Sequence, residues 1–405
     1  MTRLVARICL FLVTRASSLT LQGAGEQSGD GHAPADADVL VLNFDTKGHM
    51  KRTVFGGFEE PGGFHGLQYS FGYQVVEFRG LSAVTKAFGH IEKVKPRLAL
   101  WLLPFFNGDG HGMLANFSSG HRAARSQSSG TRHGVFYWPP ERCDRIPPNT
   151  VEDAFGDVDF VFQFGYQDGR LAAKDPQKYL PWPLGTAGWR SWRTPPAGSV
   201  APLGGRATFA SFRGTRSTRS GASQLEKLGQ VPGVVIEFRD KWAQNDSQAE
   251  ADRYKELLAT SQYALSPPGH NPNCYRIQEA VESGAIPVIL PGTNLQHNTT
   301  ACYNNWSGLY GLPVSSGIPI FQPRVGVSRA EVGDATAYPW IPTAPFRTLK
   351  TFGDLVGSAE GMRTGATDAT GRQLQSWYKH WRRAFHDQLE QRVKSSLALS
   401  ALARE

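Results

Sequence analysis

Short apolar runs rich in β-branched and aromatic residues recur along the chain, each closed by polar or glycine-rich positions. In the first half they fall at residues 38–43, 98–103, 135–138 and 158–162. Runs of four to six apolar residues between turn formers read as strands buried on both faces, as in a parallel sheet. The run at 98–103 leads into Asn107-Gly-Asp109-Gly-His111-Gly, at the carboxyl end of a strand. Residues 107–133 are rich in Gly, Ser, His and Arg and read as a loop.

The second half alternates in period. Residues 207–212, 233–238, 263–266 and 285–290 are strand-like, and 223–228, 248–261 and 275–283 have helical composition. This β-α-β-α-β order implies a doubly wound parallel sheet. Near the end, Leu374, Trp377, Tyr378, Trp381, Phe385 and Leu389 recur at steps of three and four, forming one apolar helix face suited to core packing. Between the halves, residues 195–205 contain three prolines and paired glycines, which cannot continue a helix or a central strand. The resulting division is a leader over 1–18, a Gly/Ala/Ser/Asp-rich stem over 19–36, an N-terminal domain over 37–195, a linker over 196–206, a C-terminal domain over 207–370 and a terminal amphipathic helix over 371–400.

Composition narrows the functional classes. With 405 residues, 40% of them apolar, the chain has room for two domains with real cores. The net charge of +8 fits either a solvated basic surface or a cleft that attracts an anionic ligand. No run of five or six basic residues and no Cys/His finger spacing occurs, so nucleic acid is not an expected partner. The leader has a basic start, an apolar run at 8–13 and small residues after Arg15, as in a signal peptide or the remnant of an anchor. That run is too short to span a bilayer, so membrane association is expected only through the leader, if at all. A secretory destination, the Golgi lumen, follows, and four N-x-S/T triplets beginning at Asn116, Asn245, Asn298 and Asn305 are compatible with it. The chain has no P-loop, HExxH helix, GxSxG elbow or kinase signature.

The segment with the most chemical content is residues 263–290. A strand ends in Pro267-Pro-Gly269, a turn, and Asn271 or Asn273 is placed to cap the helix that follows. Arg276 then lies in the first turns, near unsatisfied backbone N–H groups, and a helix N-terminus with an arginine is a site for phosphate or diphosphate. Glu279, at i+3, shares that face and could accept from two ribose hydroxyls. Gly284 closes the helix. The alternative for Arg276 and Glu279 is an ordinary surface ion pair.

The order strand, P-x-G, Asn273-Cys-Tyr275-Arg276-Ile277, Glu279-Ala280, Ser283-Gly284, Ile286-Pro-Val288 resembles the donor-binding motif of exostosin-type (GT47-like) glycosyltransferases. Within that set it is most similar to the ribitol-5-phosphate xylosyltransferase family. That similarity extends to Trp182-Pro-Leu-Gly185, Trp189-Arg190, Phe212-x-Gly214-Thr215, Asn298-Thr299, Ala344-Pro-Phe346 and Trp377-Tyr-x-His380, about residues 155–400. The resemblance implies an α/β chain of GT-B type, with two Rossmann-like domains built on parallel sheets. It implies transfer of a sugar, xylose before others, from a UDP-sugar to a glycan, glycoprotein or polyol-phosphate acceptor with inversion. The alternative is a nucleotide- or carbohydrate-binding protein that keeps the fold without catalysis. The donor would be held by Arg276, Glu279, Gly269, Asn273 and Tyr275, and by Arg213 and Arg219 from the Arg213/Arg216/Arg219 series after the strand ending at Phe212.

No cofactor or metal is expected, because arginines can neutralise the leaving diphosphate. Asp157-Val-Asp159 is a DxD triplet, but it opens a strand and reads as a strand edge. An inverting transfer needs a general base from the N-terminal domain. Asp109 and His111 are the first candidates, with Asp45 after the first strand as another. Of the four cysteines, Cys274 and Cys302 are the pair to test for a disulfide.

Overall fold

The computed structural model describes residues 38–45, 49–55, 69–80, 83–104, 110–126, 130–138, 148–164, 171, 174–186, 201–216, 222–240, 247–267, 274–289, 310, 338, 340–349, 351 and 353–403. Two parallel sheets form the frame, as expected for the two Rossmann-like domains. The first has the order β2-β1-β3-β4-β5-β6, from β1 (Val39–Asn43), β2 (Tyr73–Glu77), β3 (Leu98–Leu103), β4 (Arg132–Tyr137), β5 (Phe160–Phe164) and β6 (Tyr179–Trp182). The second has the order β11-β10-β9-β7-β8, from β7 (Thr208–Thr215), β8 (Val234–Arg239), β9 (Ser261–Ser266), β10 (Ile286–Ile289) and β11 (Arg347–Thr348).

Helices cover both faces of the first sheet, so its strands are apolar throughout. Alternate residues of β1 serve opposite cores. Val39 and Val41 join α1 (His49–Phe55) on one side, and Leu40 and Leu42 join α2 (Ala83–Val94), α3 (Gly110–Ser126) and α4 (Pro148–Phe155) on the other. The segment 107–133 thus contains a helix where a loop was expected. Leu114, Phe117 and His121, at i, i+3 and i+7, bury a narrow stripe, with Phe117 edge-on to Trp101 at 5.0 Å and His121 edge-on to His133 at 4.5 Å. Glycine, serine, alanine and arginine make up most of the rest of that helix and mask its period.

Three further helices follow the strands of the second sheet: α5 (Ala222–Leu228), α6 (Gln248–Ala259) and α7 (Tyr275–Glu282). A reciprocal capping box, Ser247 with Glu250, starts α6. Gly284, at φ +70°, closes α7 as expected, and the Ala285 N–H reaches back to Ala280 O at 2.9 Å.

After α8 (Gly353–Gly365) comes α9 (Asp368–Leu402), 35 residues and about 52 Å long. Its predicted stripe is buried as one face, Leu374, Trp377, Tyr378, Trp381, Phe385 and Leu389 all lying in the core. This helix touches both sheet units. Gln375 Nε2 donates to Val281 O at 2.8 Å, while Ser400 Oγ donates to Gly130 O at 2.9 Å and Phe385 packs edge-on to Trp182 at 5.9 Å. No helix among the described residues is long and apolar enough to cross a membrane.

Candidate functional site

In each sheet the chain reverses its direction of winding at one point. In the second sheet β7 pairs with β8 on one side and with β9 on the other, so the chain leads on from β7 and from β9 to strands on opposite sides of that pair. Ligands of open α/β sheets bind in the crevice outside the carboxyl ends of such strands. The first turn of α7 opens onto that point. Its N-cap is Cys274, in an extended conformation (φ −140°, ψ 154°) and with no side-chain capping bond. The expected asparagine cap is therefore replaced: Cys274 occupies the cap position, and Gly269, Asn271 and Asn273 lie outside the described residues. Tyr275, the first helical residue, packs half-buried against the central core.

Arg276 is the centre of the site. Its side chain lies back across the end of β7, where Nη2 donates to Arg213 O at 2.7 Å and the guanidinium stacks on the Phe212 ring at 4.7 Å. Among the described residues Nη1 has only the soft Cys274 sulfur, at 3.6 Å, and Nε has no partner although the residue is 5% exposed. A buried cation held by one carbonyl and one aromatic face keeps donors for an anion, and the water-poor setting strengthens any such contact.

The approach of Arg276 depends on Gly214. A Cβ there would lie 2.9 Å from Arg276 Nη2 and 2.7 Å from Phe212 Cζ. Gly214→Ala is therefore expected to push the guanidinium off its platform. A midpoint of thermal unfolding lowered by a few degrees is the expected result, since overpacking costs about 1–3 kcal/mol. A glycine inside a strand is the sequence signal for such an approach, and Phe212-x-Gly214 carried it.

The other residues expected to hold a donor are placed differently. Glu279 is fully buried, and its Oε2 accepts from the Tyr254 hydroxyl of α6 at 2.8 Å. The carboxylate expected to meet ribose is thus packed against α6 and is not at the surface. Arg213 sits inside β7 and not in a loop. It is opposite Glu237 in register, with Nη1 to Glu237 Oε2 at 3.1 Å and Nη2 3.9 Å from Glu250, so its charge is committed to carboxylates and only its carbonyl serves the site. Arg216 pairs with Glu226 and lies over Phe238. Arg219 lies outside the described residues.

The first sheet reverses between β1 and β3, since β1 pairs with both β2 and β3. Asp109, between β3 and α3 in sequence, lies outside the described residues, and His111 falls in the first turn of α3. Asp45 follows β1 but is buried, its Oδ2 accepting from Met50 N at 2.6 Å, so it anchors the start of α1. The DxD is a strand edge as expected: Asp159 precedes β5, accepts from His133 N at 3.0 Å and pairs with Arg132. Burial raises the Asp159 carboxyl, and Arg132 works against that rise. Cys274 is a free thiol, so the disulfide anticipated with Cys302 is not made, Cys302 itself lying outside the described residues.

The segment that builds this crevice is similar to known proteins. Residues 205–311 match the RXYLT1 C-terminal domain. Through that segment the chain is related to the ribitol-5-phosphate xylosyltransferase family, and β7, Gly214 and Arg276 all lie within it. Ribitol-5-phosphate xylosyltransferase 1 of Danio rerio is 31% identical over 112 residues, 27% of this chain and 26% of that protein. The Mus musculus protein of the same name is 30% identical over 128 residues, 30% of this chain and 29% of that protein. The match thus spans between a quarter and a third of these relatives' length. Among solved structures, an α,α-trehalose 6-phosphate synthase from Burkholderia multivorans aligns with a TM-score of 0.40 at 10% identity, covering 80% of this chain and 76% of that one. An α-glucosyltransferase in complex with UDP and DNA aligns with a TM-score of 0.36 at 9% identity, covering 85% and 95%.

Proposed function

We propose that this protein is a glycosyltransferase that moves a sugar from a UDP-sugar donor to a glycan or polyol-phosphate acceptor. The observation that carries this reading is Arg276, a buried guanidinium whose Nε has no partner among the described residues, at the switch point of the second sheet, beside the N-terminus of α7. A diphosphate placed there would meet one fixed positive charge and the helix dipole, and both would stabilise the charge that grows on it as the sugar leaves. That stabilisation needs no metal. The similarity to proteins named ribitol-5-phosphate xylosyltransferase 1 makes xylose the first donor sugar to test. Transfer would invert the sugar, with the acceptor hydroxyl deprotonated by a base from the segment that follows β3 in sequence, Asp109 or His111. The protein would work in the lumen of the secretory pathway.

A second reading is a nucleotide- or carbohydrate-binding protein that does not transfer sugar. The commitment of Arg213 to Glu237, and of Glu279 to Tyr254, favours it, since both leave Arg276 with fewer helpers.

UDP release by the purified chain, screened over a panel of UDP-sugars with and without simple acceptors, distinguishes the two. Release with one donor, enhanced by an acceptor, is the expected result and names the sugar. UDP bound in calorimetry without release across the panel would establish the second reading, and no binding of UDP would remove the donor site itself.

A further inference from the structure

Helix α7 is buried along its length, from Arg276 to Glu282, although it carries Arg276, Gln278, Glu279 and Glu282. A short helix without a free face moves as one body, so what holds its last turn also fixes its first. Two bonds from α9 hold that last turn. Gln375 Nε2 donates to Val281 O at 2.8 Å, and one turn later the Tyr378 hydroxyl donates to Glu282 Oε1 at 2.8 Å. Burial first, and then Glu282, push the Tyr378 phenol well above its ordinary range, so it keeps its proton and remains the donor.

At its other end α9 is fixed to the first sheet unit. Glu390 accepts from Ser70 N at 2.6 Å, Arg392 donates to Gln177 Oε1 at 3.1 Å, and Arg97 donates to Leu397 O at 2.7 Å. The helix is therefore a rigid reference for α7. We infer that the Tyr378–Glu282 hydrogen bond is the joint through which α9 sets the position of α7, and so of Arg276, six residues and about 9 Å along the helix axis. Tyr378 is a positioning residue for the anion contact; this rests on Arg276 being the donor's diphosphate ligand.

Tyr378→Phe tests this with little disturbance. It removes one hydroxyl and leaves the ring among Trp377 and Trp381, whose centroids lie 6.3 and 5.5 Å away. UDP affinity by calorimetry is expected to fall about tenfold, with donor KM rising and kcat little changed. Glu282→Gln retains an acceptor oxygen and should stay within about twofold of wild type. Glu282→Leu should match Tyr378→Phe, and the double variant Tyr378→Phe/Glu282→Leu should be no worse than either. Hydrogen exchange in Tyr378→Phe should quicken over all of 275–282.

A lowered unfolding midpoint with unchanged UDP affinity, and faster exchange confined to the last turn, would overturn the inference and leave the donor site standing. If wild type binds no UDP, the donor reading itself fails. Exchange then decides the joint alone: acceleration reaching residues 275–277 supports it, and its absence there refutes it.

Discussion

Replacing Arg276 by alanine is expected to weaken UDP binding by at least a hundredfold and to abolish donor turnover, while the protein stays folded. Two contributions make the effect large. The guanidinium would give a diphosphate its charge-assisted hydrogen bonds, each worth about 1.5–3 kcal/mol, and one or two of these account for the hundredfold. It is also already in place, stacked on Phe212 and tied to Arg213 O, so little ordering remains to oppose binding. Lysine should not rescue the site. An ammonium at the end of a flexible stem cannot stack flat on Phe212 and bond the Arg213 carbonyl while presenting further donors in a fixed plane. Arg276→Lys is thus expected to lose most of the affinity, and near-normal affinity in that variant would show that only charge matters. Thermal stability should change little, because truncation leaves one carbonyl short of a donor and relieves the burial of a cation. A variant as active as wild type would remove the assignment of Arg276.

How far the site was legible depended on whether each residue's role is local. The strand at 98–103, the helix beginning at Tyr275 and its closure at Gly284 follow from patterns within a few residues, and all are present. Placement of Arg276 in the first turn of a helix after a strand is also local in origin, but that this turn meets a switch point depends on the strand order. The fates of Arg213 and Glu279 are not local. Arg213 meets Glu237 because β7 and β8 pair in parallel at that register, 24 residues apart. Glu279 meets Tyr254 because α6 and α7 pack side by side, 25 residues apart. Neither partner is recognisable before the topology is known. The helix at 110–126 escaped because three buried positions among glycines and serines are too sparse to establish a period. Phe212 was visible as part of a motif, but its use as a platform for a cation depends on the arginine coming back across the strand end.

Arg206 illustrates the same limit, and its loss is expected to have the largest effect on stability. It lies between the two sheets in sequence and reads as a linker residue, yet it is 6% exposed. Its guanidinium closes three carbonyls together: Nε donates to Ala201 O at 3.1 Å, Nη1 to Ser261 O at 2.7 Å and Nη2 to Ser283 O at 3.0 Å. Burial lowers its pKa to about 10, so it remains charged at neutral pH. Ser283 is the C-cap of α7, where a cation also favours the helix dipole. Removing the side chain leaves three buried acceptors to find water or remain unpaired, at about 1–3 kcal/mol each before relaxation. Arg206→Ala is therefore expected to cost on the order of 3–5 kcal/mol and to lower the unfolding midpoint by about 10 °C. Arg206→Met separates the causes, since methionine fills much of the volume without a donor. If the carbonyls dominate, methionine is nearly as damaging as alanine; a methionine variant close to wild type would mean that the cavity was the larger cost. Because Ser283 ends the helix whose first turn carries Arg276, either variant that still folds should also bind UDP more weakly. Full affinity in a destabilised Arg206→Ala would show that the two ends of α7 are independent.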